Sequence, residues 1–156
     1  RELFKRHHVF DDEEIYSRYE ILMEEYVKIL NIEALTMINM AQKEILPAAL
    51  KYSKHLAQSV KLKRDISTLI DTEYEEVNLT RLSSLLTQAY KNVLKLQESV
   101  DTLKGIDDFE KAAFFVRDTL ILDMEQLRKP CDEMESIVSS QDWPFPTYGK
   151  LLFGII

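Results

Sequence analysis

Between residues 79 and 103 the chain keeps one rhythm throughout: Leu79, Leu82, Leu86, Ala89, Val93, Leu96, Val100 and Leu103 fall alternately three and four residues apart. At 3.6 residues per turn this spacing gathers all eight side chains on one helical face, and a face that apolar must be buried against another element. Three glycines and four prolines in 156 residues, against roughly 12% in average usage, leave too few breakers for a sandwich, a barrel or a glycine-cradled nucleotide fold. The expectation is an all-α chain: an up-and-down antiparallel bundle of three to four long helices, forming one domain over 1–156 with a lead-in (1–10), helices (11–140) and an apolar extended tail (141–156). A chain of this size buries roughly 68–70% of its unfolded surface, so neither disulfide nor metal is needed to hold it.

The other helices follow from caps and stripes. Asp11 with Glu14 forms a capping box, with Phe10 placed to staple onto Ile15, so helix one starts near Asp12. Its stripe reads Ile15, Tyr19, Leu22, Tyr26, Ile29, then Ala34, Met37, Ala41, Ile45, Ala49, Tyr52, Leu56 and Val60. The jump from Ile29 to Ala34 marks a phase slip or a break at Asn31, and Pro47 predicts a kink. Ile66, Ile70, Tyr74 and Val77 extend the central stripe backward, while Thr72 with Glu75 offers a new cap; the turn is placed between about Lys63 and Thr72. Lys104-Gly105 closes the second helix. The third opens at Asp107 with Glu110 and carries Phe109, Ala113, Val116, Leu120, Met124, Leu127, Cys131, Met134 and Val138, with a bend expected at Pro130. Phe114, Phe115, Ile121 and Leu122 widen this stripe and predict cover on more than one side. Rods of about 75, 55 and 45 Å, at ~1.5 Å per residue, imply that one overhangs or folds at Pro47.

Charge and chemistry narrow the function. The net charge is −7, so no field gathers nucleic acid. Residues 11–25 carry seven acids and one Arg, and 51–64 carry five basic residues and no acid, an order that complements the helix dipole. The basic stretch reads as a solvated helix end. Uncharged apolar runs reach only 112–116 and 151–156, far short of the ~20 residues that span a bilayer, and no secretion signal opens the chain. The expectation is a soluble, unsecreted protein. A single cysteine, Cys131, fits a reducing compartment and lies on an apolar stripe as a small hydrophobe. A di-metal bundle site needs Glu-x-x-His pairs, which are missing; His7 and His8 sit beside Lys5 and Arg6, and His55 has Tyr52 three residues before it. Asn78-Leu79-Thr80 fits the glycosylation pattern by chance. The methionines and Tyr16, Tyr19 and Tyr26 read as packing. Catalytic, cofactor-binding and metal-ligating residues are expected to be none.

Three segments carry a resemblance: SRYEI at 17–21, NIEALTMINMAQKEILPA at 31–48 and WPFPTYGKLLF at 143–153, with KRHHVFDDEE at 5–14 as lead-in. In order and spacing they resemble the C-terminal region of type III glutamine synthetases; residues 60–140 match in helical pattern. The resemblance implies a longer enzyme of nitrogen metabolism, a ligase that joins ammonia to glutamate using ATP and a divalent metal (magnesium or manganese). It implies a cytoplasmic ring-forming homo-oligomer whose catalytic and ATP-binding parts lie upstream. A start at Arg1 and an apolar end at Ile155-Ile156 fit a piece of something longer. This piece would be an auxiliary domain whose partners are its own upstream catalytic domain and other subunits, with no nucleic acid and no membrane. Trp143, Phe145, Tyr148, Leu151, Leu152 and Phe153 are the candidate packing or interface residues, because large aromatics anchor interfaces; they either seal the bundle or dock on another surface. The alternative is a free-standing helical protein–protein interaction module.

Overall fold

The computed structural model describes residues 11–146, 151, 152 and 154. Among them all regular structure is helical, arranged as three continuous runs. The first comprises α1 (Asp12–Met40), a π turn (Ala41–Ile45) and α2 (Leu46–Ile66); the second is α3 (Glu73–Lys104). The third comprises α4 (Phe109–Phe115), a π turn (Val116–Leu120) and α5 (Ile121–Ile137).

The first run begins where its cap predicts. Asp11 Oδ1 accepts from the Glu14 backbone N–H at 2.7 Å, and Glu14 returns a carboxylate oxygen to the Asp11 N–H at 3.2 Å. The proposed Phe10 staple and the His7-His8 pair lie outside the described residues. Asn31 is neither a break nor a slip, because the core side of α1 uses different residues from those expected. Tyr26, Val27 and Leu30 pack against the core and lead into buried Ala34 and Ile38, whereas Leu22 and Ile29 are exposed. The observed stripe therefore keeps its three-and-four spacing across Asn31.

The two prolines inside helices are accommodated differently. Proline brings no N–H and its ring crowds the carbonyl four residues back. Ahead of Pro47 the chain widens into the π turn, whose last bond runs from the Leu46 N–H to the Ala41 carbonyl, and the helix then continues to Ile66. Pro130 stands inside α5, and the helix continues past it to Ile137. The carbonyl that Pro130 leaves without its helical donor is that of Gln126, and the Asn92 side chain donates to it from the neighbouring run at 2.7 Å.

Turns fall near their expected places. Ser67 ends the first run in extended geometry, its N–H bonded to the Lys63 carbonyl, and Asp71 accepts from the Glu73 N–H at 2.9 Å. Thr72 does precede a new helix, yet no Thr72–Glu75 cap forms. Glu75 instead reaches back to Lys63 and Ser59, and the Thr72 hydroxyl donates to Glu76. Ile66, Ile70, Tyr74 and Val77 are exposed, so the backward extension of the stripe is not core. Gly105 caps α3 as predicted, at φ −87°, without using the left-handed region. The third run is capped one residue later than expected: Asp108, not Asp107, accepts from the Lys111 N–H at 3.0 Å.

Paired residues fix the directions. Lys63 and Arg64 meet Glu75 and Glu76 across the turn between α2 and α3. Along α3, Arg81, Asn92, Lys95 and Ser99 meet Glu133, Gln126, Asp123 and Asp123, so the third run is antiparallel to α3. The core lies in the seam of the three runs. Leu82, Ala89, Val93, Leu96, Val116 and Leu120 are fully shielded. The first run, about 80 Å at ~1.5 Å per residue, is much longer than α3, and it overhangs: among residues 12–33 none is buried. The expected double cover of the third run is half present, with Phe115 and Ile121 against the core but Phe114 and Leu122 about half exposed.

Candidate functional site

No set of three His, Cys, Asp or Glu side chains that could hold a metal ion occurs among the described residues. Cys131 is buried, and burial, with Asp132 adding to it, pushes its thiol up to about 11. Such a thiol is almost wholly protonated at neutral pH and unsuited to nucleophilic work. No described helix is long and apolar enough to cross a membrane.

The polar groups that the stripes hide are structural clips. Asp123, 3% exposed, accepts from the Ser99 hydroxyl at 2.7 Å and pairs with Lys95 at 2.7 Å. Sequence reading missed this clip, although its signal was present: Asp123 stands three residues after Leu120 and four before Leu127, at stripe spacing. Glu75, also buried, is held below the usual carboxylate range chiefly by the hydrogen bond from Lys63, with further bonds from its own backbone and Ser59.

The tail begins as a fastened segment. The Ser139 carbonyl accepts the N–H groups of Asp142 and Trp143, each at 2.9 Å. Asp142 pairs with Lys51 at 2.8 Å and stands 3.7 Å from His55, which fixes the tail's root on α2; the Lys51 hydrogen bond holds its carboxyl below the ordinary range, with His55 adding a smaller pull. Trp143 is 8% exposed and meets Phe145 edge-on, ring centres 6.3 Å apart. Both touch the core cluster. The Trp143 indole N–H is buried and has no hydrogen-bond partner among the described residues. Leu151 and Leu152 form a short helical segment and are exposed at 64% and 73%. Tyr148 and Phe153 lie outside the described residues. Of the four candidates that are described, Trp143 and Phe145 pack inward and Leu151 and Leu152 are exposed.

A second concave surface was not anticipated. Where α1 overhangs, a groove of about 430 Å³ runs between Tyr16, Tyr19, Glu20 and Met23 on one side and residues 107–110 on the other. It continues into an apolar hollow of about 310 Å³ lined by Leu22, Tyr26, Ala113, Phe114 and Arg117. Arg117 stacks over the Phe114 ring at 4.9 Å and forms a two-pronged bond to Asp118.

Residues 1–64 match the family model described as the glutamine synthetase C-terminal domain. The chain is similar to a glutamine synthetase of Butyrivibrio fibrisolvens, 36% identical over 99% of this chain and 22% of that protein. A type-3 glutamine synthetase of Dictyostelium discoideum is 30% identical over 97% of the chain and 21% of that protein. A glutamine synthetase of Bacteroides fragilis is 24% identical over 93% and 20%. The chain thus spans about a fifth of the length of the curated relatives it matches. A family model matched over the first 64 residues and a relative aligned along 99% of this chain make it similar to the C-terminal domain of glutamine synthetases.

Proposed function

We propose that this domain is an auxiliary, structural part of a type III glutamine synthetase, one that packs on the preceding portion of the enzyme and shapes contacts between its subunits. The observation that carries the reading is the nearly complete alignment of this chain with only a fifth of a type-3 glutamine synthetase. The enzyme as a whole would ligate ammonia to glutamate at the expense of ATP, in the cytoplasm, as a homo-oligomer. The residues described here do not fit the divalent metal that such chemistry uses: Asp123, the most deeply buried carboxylate, is already taken by Lys95 and Ser99. In this reading ATP and metal belong to the preceding portion of the enzyme. The continuation of the helical runs past Pro47 and Pro130 supports a spacer role.

The tail divides the work in this reading. Trp143 and Phe145 close the end of the bundle, while Leu151 and Leu152, joined in the proposal by Tyr148 and Phe153, are free to meet another surface. The test is made in the full-length enzyme. Leu151→Asp with Leu152→Asp should change the assembly mass by light scattering and lower turnover without altering the domain's helical content, whereas Trp143→Ala should lower the domain's melting temperature. Removal of residues 11–156 with assembly and turnover unchanged would sink the reading.

A further inference from the structure

We propose that the groove between the overhanging half of α1 and α4 is the seat of a basic, apolar-anchored segment from the part of the enzyme that precedes this chain. The inference rests on the auxiliary-domain reading and names its contact surface, which is not the tail. Three observations carry it.

The first is exposure. Residues 12–33 include no buried residue, and Tyr16, Ile21, Leu22, Ile29 and Ile32 are between 46% and 63% exposed. Ile21, Leu22, Ile29 and Ile32 share one side of the helix, while Tyr16 and Leu22 line the groove and its hollow, and a helix left with this much bare apolar surface belongs inside something larger. The second is shape. The groove and its hollow are continuous through Tyr19, Met23 and Glu110, so one extended or helical segment fits along about three turns of α1.

The third is charge, and it selects the occupant. Residues 11–25 and 107–111 together carry ten acidic and two basic residues, a local net of −8 in a chain whose total is −7. Glu20, Asp107, Asp108 and Glu110 stand on the groove itself. Two copies meeting through this end by a twofold axis would bring equal negative fields together, which disfavours a second copy as occupant. A Lys- or Arg-flanked aromatic or aliphatic anchor satisfies both the acidic rim and the apolar floor. About four fifths of a relative's length lies outside the matched region, and that portion travels with this domain at high effective concentration.

The test is photo-crosslinking in the full-length enzyme, with benzoylphenylalanine placed at Tyr19 or Phe114, at exposed Tyr90 as a background control, and at Leu152 to report on the tail. From the groove positions we expect adducts with a Lys- or Arg-containing peptide that precedes Arg1 in the same polypeptide, at a yield at least tenfold above Tyr90. Combining Glu20→Lys with Glu110→Lys should cut that yield at least fivefold while assembly mass and helical content hold. Adducts confined to residues 1–156, adducts to a second copy of this domain, or yields equal to Tyr90 overturn the inference. Adducts to the preceding portion from Leu152 and none from the groove overturn it while leaving the auxiliary-domain reading standing; no adducts from either, with an enzyme indifferent to loss of the domain, removes both.

Discussion

Asn92 shows how one side chain repairs a defect in a neighbouring helix. Pro130 cannot donate to the Gln126 carbonyl, and Asn92 does so from α3. A replaced hydrogen bond of this partly wet kind is worth about 0.5–1.5 kcal/mol. Asn92→Ala should therefore cost about 1 kcal/mol in a denaturant titration, and in a Pro130→Ala background, where residue 130 regains its N–H, the same change should cost close to nothing. Equal costs in both backgrounds would break the link. Glu75 gives a prediction in pH. Its carboxyl is held below the usual range by Lys63, so the folded state binds its proton at lower pH than the unfolded state does, near ~4.3. The stability it contributes is complete above that value and is lost as pH falls through the lower folded value. The melting-temperature gap between the native protein and Glu75→Gln should accordingly be widest above about pH 5 and narrow progressively as pH falls below the unfolded value of ~4.3. Neither partner of Glu75 was legible in the sequence. A Thr-x-x-Glu spacing argued for a cap, whereas the close return of α2 made Lys63 the nearer and stronger donor.

At the scale of the element, legibility followed burial. The stripe of α3 reads directly because packing surrounds it on both sides: Leu82, Ala89, Val93 and Leu96 are all 0% exposed. The stripe of α1 was misread at Leu22 and Ile29, since its N-terminal half is apolar on several sides and spacing alone cannot say which side faces inward. Leu96→Ala should then cost about 3 kcal/mol, the range for a buried leucine that leaves a cavity. Leu22→Ala should cost less than about 0.5 kcal/mol, as expected for an exposed site. Both values are read from chemical unfolding, and a large loss at Leu22 would show that α1 is packed elsewhere than described. Pro47 and Pro130 looked alike in the sequence as helix disruptors. A π turn serves one and a side chain from across the bundle serves the other, and only the second depends on residues distant in sequence.

Across the whole molecule, stability is graded along the long axis. Three runs overlap in the middle, two at the overhang, and the last turn of α2 is held to α3 mainly by ion pairs at Lys63 and Arg64. Amide hydrogen exchange should be slowest in 82–103, intermediate in 120–134 and fastest in 12–30 of the isolated domain, because local opening requires less disruption where fewer side chains are buried. A uniform rate across α1 and α3 would contradict this gradient. The inward packing of Trp143 and Phe145 was not legible in the sequence, because the anchor at Asp142 comes from Lys51 and His55, some ninety positions earlier. Cys131 lies where the first and third runs meet, beside Met37, Ala41 and Ile45, and its sulfhydryl is shielded. A thiol reagent such as Ellman's can therefore colour the domain only after those two rods part, so the chain carries its own stopwatch for global opening, one strike per molecule.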